Sequence, residues 1–277
     1  MPKQQKTKTR NERNIIMLCT VKTIKGSKLD GIDGEIGEVK EFYFDDRHWT
    51  IRYLVADTGT WLPGRKVLIS PYALGAINKD IYNRQIAINL TKKQIEDSPS
   101  LDSDKPISRQ FEHAFHKHYD WPTYWSGPYS WGSDHHIERD REKWKASLKS
   151  KKAMPRDHHL RSTHAVTGYH IQASDGEIGH VEDFVIDDET WAIRYLMVNT
   201  QNFWPGKNVL ISPQWIDRVS WHESKVFVNL SRETIKESPE YTEEFLLTRD
   251  YETELHRYYH RKGYWEDELL EVAECGR

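Results

Sequence analysis

A repeated block constrains this chain of 277 residues more than any other feature of its sequence. Residues 34–71 align without a gap to residues 176–213, and 21 of the 38 aligned positions are identical. The block contains Asp45-Asp46 and Trp49-Thr-Ile-Arg-Tyr-Leu, which return as Asp187-Asp188 and Trp191-Ala-Ile-Arg-Tyr-Leu. Ungapped identity of this extent indicates that one folding unit has been duplicated.

The similarity resumes after a two-residue deletion in the second copy and continues into a C-terminal segment. The recurring residues there are Arg109, Glu112, His116, Tyr119, Tyr124 and Trp125, matched by Arg249, Glu252, His256, Tyr259, Tyr264 and Trp265. Residues 126–156 between the copies are rich in Gly, Ser and charged residues, which is typical of a linker. We therefore predict a first repeat at 1–125, a charged linker at 126–156 and a second repeat at 157–277.

Each repeat begins with a region that predicts short β-strands. Ile51, Tyr53 and Val55 alternate with other residues, as expected for a half-buried strand. The apolar spacing of Val39, Phe42 and Phe44 is three and then two, which predicts a β-bulge. Turn signals such as Asp33-Gly34 and Pro63-Gly64 separate the strands, and they recur in the second copy. This pattern is typical of a small sandwich or barrel.

Each repeat ends with a region that predicts helices. Thr91 and Ser231 are expected N-caps of short helices that end before Pro99 and Pro239. An apolar stripe at i, i+4, i+8 predicts an amphipathic helix of about three turns, and its members are Phe111, Phe115 and Tyr119. Its apolar stripe is expected to dock on the barrel or on the other repeat.

Composition and charge argue against several classes of protein. A net charge of −3 and a pI near 6.5 give no general sign of a nucleic-acid partner. No apolar run reaches the roughly 18 residues of a membrane span, and the apolar stretch at residues 15–19 is too short for a secretory signal. Cys19 and Cys275 lie at opposite ends of the chain and suggest no disulfide framework. We expect a cytoplasmic protein.

The recurring motifs resemble the PRC-barrel family over about Leu18–Leu90 and about Leu160–Leu230. Members of this family include the cytoplasmic domain of the photosynthetic reaction centre H subunit and the C-terminal domain of the ribosome-maturation factor RimM. The resemblance implies a six-stranded β-barrel in each repeat. We therefore expect a mainly β protein with helical extensions, in which two tandem PRC-type barrels, each followed by C-terminal helices, pack as a pseudo-two-fold pair.

Two Glu–His pairs are the candidate metal ligands. Glu112 and His116, and again Glu252 and His256, stand at i, i+4, which places both side chains on one helix face. Two such pairs brought together could hold a metal ion. The same spacing also occurs in ordinary helix-stabilising pairs, and no third ligand recurs in both copies. His135-His136 and His158-His159, in or near the linker, occur once each and carry little weight as site residues.

Other recurring polar and aromatic residues have structural and functional interpretations. Asp45-Asp46 and Asp187-Asp188 end a strand, where Asp caps backbone amides more often than it catalyses. Arg52 and Arg194 are expected to face outward or to pair with a carboxylate such as Asp46 or Asp188. Trp49 and Trp191, which could cover a barrel end, would together with these two arginines form a possible interaction surface.

The sequence contains no recognisable nucleophile elbow, phosphate loop or Cys-x-x-Cys motif, so we expect neither an enzyme nor a bound cofactor. By resemblance, the chain is expected to be a binding or scaffold module that docks on a protein or membrane-associated complex. One alternative is a small-ligand or metal sensor with its site in a cleft between the repeats. By family analogy, another is support of assembly or electron transfer, as in the reaction-centre H subunit. The two repeats are expected to form an internal pseudo-dimer, and the sequence also allows a homo-oligomer.

Overall fold

The computed structural model describes residues 18–78, 84–100, 107–125, 159–200, 206–242 and 247–266. The basic N-terminal arm, the linker predicted at 126–156, Cys275 and Pro205 lie outside the described residues. The predicted domain boundaries themselves stay predictions.

The described residues of the first repeat form seven strands and three helices. In chain order these are β1 Leu18–Thr20, α1 Val21–Ile24, β2 Lys28–Gly31, β3 Gly34–Asp45, β4 Thr50–Asp57, β5 Val67–Ile69, β6 Leu74–Asn78, β7 Gln85–Ile88, α2 Lys92–Glu96 and α3 Arg109–His118. A short 3₁₀ turn, Pro71–Ala73, connects β5 to β6.

The second repeat has the same elements in the same order. They are β8 Leu160–Ser162, α4 Thr163–Val166, β9 His170–Ala173, β10 Gly176–Asp187, β11 Ile193–Asn199, β12 Asn208–Ile211, β13 Ile216–Ser220, β14 Lys225–Val228, α5 Arg232–Glu237 and α6 Arg249–Tyr258. The protein is therefore mainly β with helical extensions, as the strand and helix patterns predict.

The strands form two curled sheets with equivalent strand orders. One sheet follows β5-β4-β3-β2-β7-β6, and the other follows β12-β11-β10-β9-β14-β13. Neighbouring strands are antiparallel except for β2 with β7 and β9 with β14, which are parallel. Each repeat thus contributes six strands to its own sheet.

The seventh strand of each sheet comes from the other repeat. Strand β1 pairs with β10, with Cys19 opposite Ile186, and β8 pairs with β3, with Arg161 opposite Phe44. Both pairings are antiparallel and have equivalent registers. The two sheets are therefore linked by a reciprocal exchange of strands, which the sequence did not predict.

The bulge predicted in β3 is confirmed, and a second irregularity corrects the prediction for β4. The register of β3 with β4 shifts between Val39 and Glu41, and β10 has the same shift. A further shift leaves Arg52 between the paired residues Ile51 and Tyr53. The extra residue interrupts the expected alternation, because a bulge redirects the side chains that follow it. Strand β4 is also buried on both faces rather than on one.

The main apolar core extends across both repeats. The rings of Phe44 and Phe184, one from each repeat, lie 5.7 Å apart, and Phe42 lies 6.3 Å from Trp191. The backbone N–H of Ile51 donates to the Trp191 carbonyl over 2.8 Å, and a reciprocal bond joins Ile193 to Trp49 over 2.7 Å. This contact holds both tryptophans at positive φ, an uncommon conformation for bulky residues.

The predicted interaction surface of Trp49, Arg52, Trp191 and Arg194 is wrong for three of its four residues. Trp191, Arg52 and Arg194 are buried, and Trp49 is half-buried against the core. The tryptophans lie between the repeats, and each arginine is covered by the C-terminal segment of its own repeat. These side chains are therefore not presented to a partner.

The helices form where the caps predict them. Thr91 and Ser231 cap α2 and α5 through side-chain acceptors, and both helices end before the following proline. Asp33 accepts the Lys92 N–H over 2.8 Å, which attaches the turn between β2 and β3 to the start of α2. Helix α3 packs Phe115 against the outer face of β4, where Tyr53 and Val55 form a small separate cluster.

Candidate functional site

The C-terminal segments of the two repeats have diverged except where their side chains meet. Between residues 107–125 and 247–265, six of 19 aligned positions are identical. Five of these six belong to one group of contacting side chains in each repeat. In the first repeat they are Arg109, Glu112, His116, Tyr124 and Trp125. The retained residues therefore mark a common site, here called the Tyr–Glu–His network.

In the first repeat the network joins α3 to β4. The Tyr53 hydroxyl lies 3.1 Å from both Glu112 Oε1 and His116 Nε2. Tyr124, which follows the helix, donates to Glu112 Oε1 over 2.5 Å. His116 Nδ1 lies 2.9 Å from the Pro122 carbonyl. Glu112 and His116 are at most 1% exposed, so the helix is held to the sheet by polar groups inside the protein.

The second repeat reproduces this geometry closely. The Tyr195 hydroxyl lies 2.9 Å from Glu252 Oε1 and 3.0 Å from His256 Nε2. Tyr264 donates to the same carboxylate oxygen over 2.9 Å. His256 Nδ1 lies 2.8 Å from the Lys262 carbonyl. Two independent copies of one arrangement indicate that its residue types and spacing matter for the fold.

Two arginines complete each copy by stacking on the aromatic rings that follow the helix. In the second repeat Arg194 lies 3.9 Å above the Tyr264 ring, and Arg249 lies 4.2 Å above Trp265. The corresponding distances for Arg52 and Arg109 in the first repeat are 4.0 and 4.3 Å. Arg249 Nη1 also lies 2.9 Å from Glu252 Oε2. The buried carboxylate is thus opposed by a positive charge, as a buried charge requires.

The hydrogen bonds define the state of each histidine. A backbone carbonyl can only accept, so Nδ1 of His256 carries a proton and donates to Lys262, and the same applies to His116 and Pro122. Burial lowers the pKa of both histidines, and their backbone hydrogen bonds act in the opposite direction. Nε2 of a neutral imidazole with this tautomer is an acceptor for the tyrosine hydroxyl. The Tyr195 hydroxyl can therefore supply a proton either to the imidazole or to the carboxylate.

Burial also shifts the pKa values of the glutamate and the tyrosines of the network. It raises the pKa of Glu252, while the Arg249 charge and two tyrosine hydrogen bonds lower it. Burial, together with the neighbouring glutamate charge, raises the pKa of Tyr53 and Tyr195 well above the usual value. The tyrosines therefore stay protonated donors at neutral pH.

The first network contains one residue that the second does not share. His159, just before β8, is 2% exposed and lies 2.8 Å from the Tyr124 hydroxyl and 3.3 Å from Glu112 Oε2. Its Nδ1 lies 3.2 Å from Arg109 Nη2. The aligned residue of the first repeat is Met17, whose structure lies outside the described residues. Strand exchange brings His159 here, which explains why the sequence pointed to no site.

The two predicted Glu–His pairs lie in separate networks. Each pair contacts a tyrosine of its own repeat, Tyr53 or Tyr195, and the apolar core extends between the repeats. The structure therefore does not bring the two pairs together in one network, and a ligand site in a cleft between the repeats stays a hypothesis. Within the described ranges, no three His, Cys, Asp or Glu side chains are grouped to hold a metal ion. Metal binding by the pairs stays an untested hypothesis.

The first aspartate of each pair caps the turn after the long strand, as predicted for this position. Asp45 Oδ1 accepts the Arg47 N–H over 2.9 Å, and Asp187 Oδ1 accepts that of Glu189 over 3.0 Å. Burial alone would raise the pKa of Asp187, but the charge and hydrogen bonds of Arg194 hold it below its usual value. The pKa of Asp45 is also below its usual value, so Asp45 and Asp187 are ionised structural groups.

The expected arginine partners are corrected by one residue. Arg194 pairs with Asp187 over 2.8 Å. Arg52 Nη2 lies 3.8 Å from Asp45, whereas Asp46 pairs with Arg161 of the other repeat over 2.8 Å. The bulge at Arg52 accounts for this shift, since it changes which end of the turn the side chain reaches.

Sequence reasoning missed Tyr53, Tyr195, Tyr124 and Tyr264 as members of the site. Tyr53 was interpreted as one apolar position of a strand, although its buried hydroxyl needs a hydrogen-bond partner. The available signal was identity: a tyrosine recurs at both strand positions and at both positions after the helix. Pairing these tyrosines with the recurring Glu and His would have located the network.

Comparison with known proteins gives one positive result. A family model described as the PRC-barrel domain matches residues 164–235, which lie within the second repeat. No curated protein matches the chain. In the part of the chain that the structure describes, no helix is long and apolar enough to cross a membrane.

Proposed function

We propose that this chain is a non-enzymatic binding module, built as a pseudo-two-fold pair of PRC-type barrels, that docks on a protein or membrane-associated complex. The family match in the second repeat and the equivalent strand orders of the sheets support the paired-barrel description. The recurring polar residues support a non-enzymatic role, because they are buried and engaged with one another. A catalytic group needs access to its substrate.

The observation that carries the docking role is a difference between the repeats at their surfaces. Tyr72, Tyr119 and Trp121 form a half-buried aromatic surface beside the first network. The rings of Tyr119 and Trp121 stack 4.3 Å apart at 14°, and Tyr72 lies 5.9 Å from Trp121. Tyr and Trp are enriched at the energetically dominant positions of protein interfaces. A partner protein could therefore engage this surface.

The second repeat lacks this surface although its network is the same. Gln214 and Arg261 replace Tyr72 and Trp121, and both are exposed. Tyr259 is buried beneath Trp215, with the two rings 4.5 Å apart. Because the interior is retained and the surface differs, the aromatic surface is not required by the common fold. This supports a role in recognition.

Affinity capture from the native cell lysate, with soluble and membrane fractions assayed separately, tests the proposal. The test variant is Tyr72→Gln/Trp121→Arg, which introduces the residues of the second repeat at the same positions. We expect the wild type to retain a reproducible protein partner that this variant loses. The matched control, Gln214→Ala/Arg261→Ala, should retain it. Equal capture by wild type and test variant, or no capture by the wild type, would contradict the proposal.

A further inference from the structure

The strand exchange leaves each repeat with an edge that it does not complete itself. Residues Leu18–Thr20 cover Val185–Asp187 of β10, and Leu160–Ser162 cover Tyr43–Asp45 of β3. The two acceptor edges occupy equivalent positions in the two repeats. Each edge therefore accepts an N-terminal strand that belongs to another repeat.

The residues that follow each exchanged strand are also held by the other repeat. The Lys22 N–H, at the start of α1, donates to the Asp183 carboxylate over 3.0 Å. On the other side of the exchange, Thr163, the residue after β8, donates its hydroxyl to the Phe42 carbonyl over 3.3 Å. The exchange thus consists of a strand and a capped helical turn, and it joins onto the shared apolar core. Such an interface is specific to this folding unit.

We propose that a second copy of this chain is a partner, engaged when the strands are exchanged between copies instead of within one. The first repeat of one copy would pair with the second repeat of the other, and the remaining two repeats would pair in the same way. This closes the assembly as a dimer with two interlocked repeat pairs. The inference rests on the exchanged strands and is independent of the aromatic surface.

The same contacts form in the closed monomer and in the dimer. The connection between the repeats therefore decides the equilibrium between monomer and dimer. Covalent linkage gives each repeat an effective concentration of its partner in roughly the millimolar range. Folding below that concentration favours the monomer, and folding near or above it favours exchange between copies. Interconversion requires separation of the shared core, so a dimer once formed should persist on dilution.

A disulfide at the exchanged strand identifies which copy supplies it. Cys19 lies opposite Ile186, so Ile186→Cys in a Cys275→Ser background places two cysteines across the pair. Cα atoms of directly opposed antiparallel residues are about 4.5–5.5 Å apart, which suits a disulfide. The variant is refolded at about 10 µM, well below the effective concentration, and at about 1 mM, near it. It is then oxidised and analysed without reduction. We expect intrachain disulfides at the lower concentration and a large interchain fraction at the higher one.

Phe44→Cys in the same background is the matched control, since it is the same position in the other repeat and faces Arg161. It should form no disulfide with Cys19. Wild-type protein refolded in the same two ways should show the dimer by light scattering, which covers any folding defect of the variants. Monomers with only intrachain disulfides at both concentrations would overturn the proposal. So would a disulfide between Cys19 and Cys at position 44, because each repeat would then complete its own sheet.

Discussion

At the level of single residues, each Tyr–Glu–His network contains a tyrosine proton between two acceptors. In the second repeat the Tyr195 hydroxyl can donate to Glu252 or to His256, while Tyr264 and Arg249 satisfy the carboxylate independently. Buried polar networks stabilise a fold only when nearly all their members are satisfied. The networks therefore make the attachment of α3 and α6 specific, and they are sensitive to the loss of one group.

Removing one tyrosine hydroxyl should destabilise the protein measurably. Tyr195→Phe leaves the buried Glu252 and His256 without their shared donor, so we expect a loss of about 1–3 kcal/mol in the free energy of unfolding. Urea denaturation monitored by circular dichroism measures it. Tyr169→Phe, at a half-buried ring that lies tilted against Trp221, should change stability by no more than about 0.5 kcal/mol. Equal effects of the two substitutions would contradict the role of the network.

The buried histidines should make the protein less stable in mild acid. Because burial lowers the pKa of His256, the unfolded chain binds a proton more readily than the folded protein. This contribution to stability is present above the ordinary histidine pKa of about 6.5 and is lost as the pH falls through the folded pKa. The free energy of unfolding of His256→Gln should therefore decrease less than that of wild type between about pH 7 and about pH 5. A slope in His256→Gln equal to that of the wild type would refute this assignment.

At the level of elements, local patterns predicted the strands, caps and one bulge, but not the bulge at Arg52. The spacing of Val39 and Phe42 revealed the first bulge because an apolar position was displaced. At Arg52 the extra residue is itself polar, so the alternation of Ile51 and Tyr53 looked regular. The docking of the helix was also predicted. The face of β4 that the helix covers was not, because it depends on the second bulge.

The long strands depend on a glycine where they approach their neighbours. Gly37 has φ +147°, and a Cβ there would lie 1.9 Å from the Asp57 carbonyl oxygen. We expect Gly37→Ala to cost more than about 3 kcal/mol, because neither the backbone angle nor the contact can be relieved locally. Gly26→Ala, with φ +80° and open space around it, should cost about 1–2 kcal/mol. Thermal unfolding compares the two, and similar shifts would mean that the close approach is not maintained in solution.

At the level of the whole molecule, the sequence predicted two repeats but not how they combine. Leu18-Cys19-Thr20 has the same pattern whichever sheet it joins, so no local signal identifies an exchanged strand. His159 enters the first network for the same reason, although it precedes the second repeat. Because the repeats share strands and one apolar core, they should unfold together.

Calorimetric unfolding of the full chain tests most directly whether the two repeats unfold together. We predict one transition whose calorimetric and van't Hoff enthalpies agree. Tyr53→Phe and Tyr195→Phe, one in each repeat, should each lower the temperature of that same transition. Two resolved transitions, each shifted by only one of these substitutions, would contradict a shared core and would make the repeats independent domains.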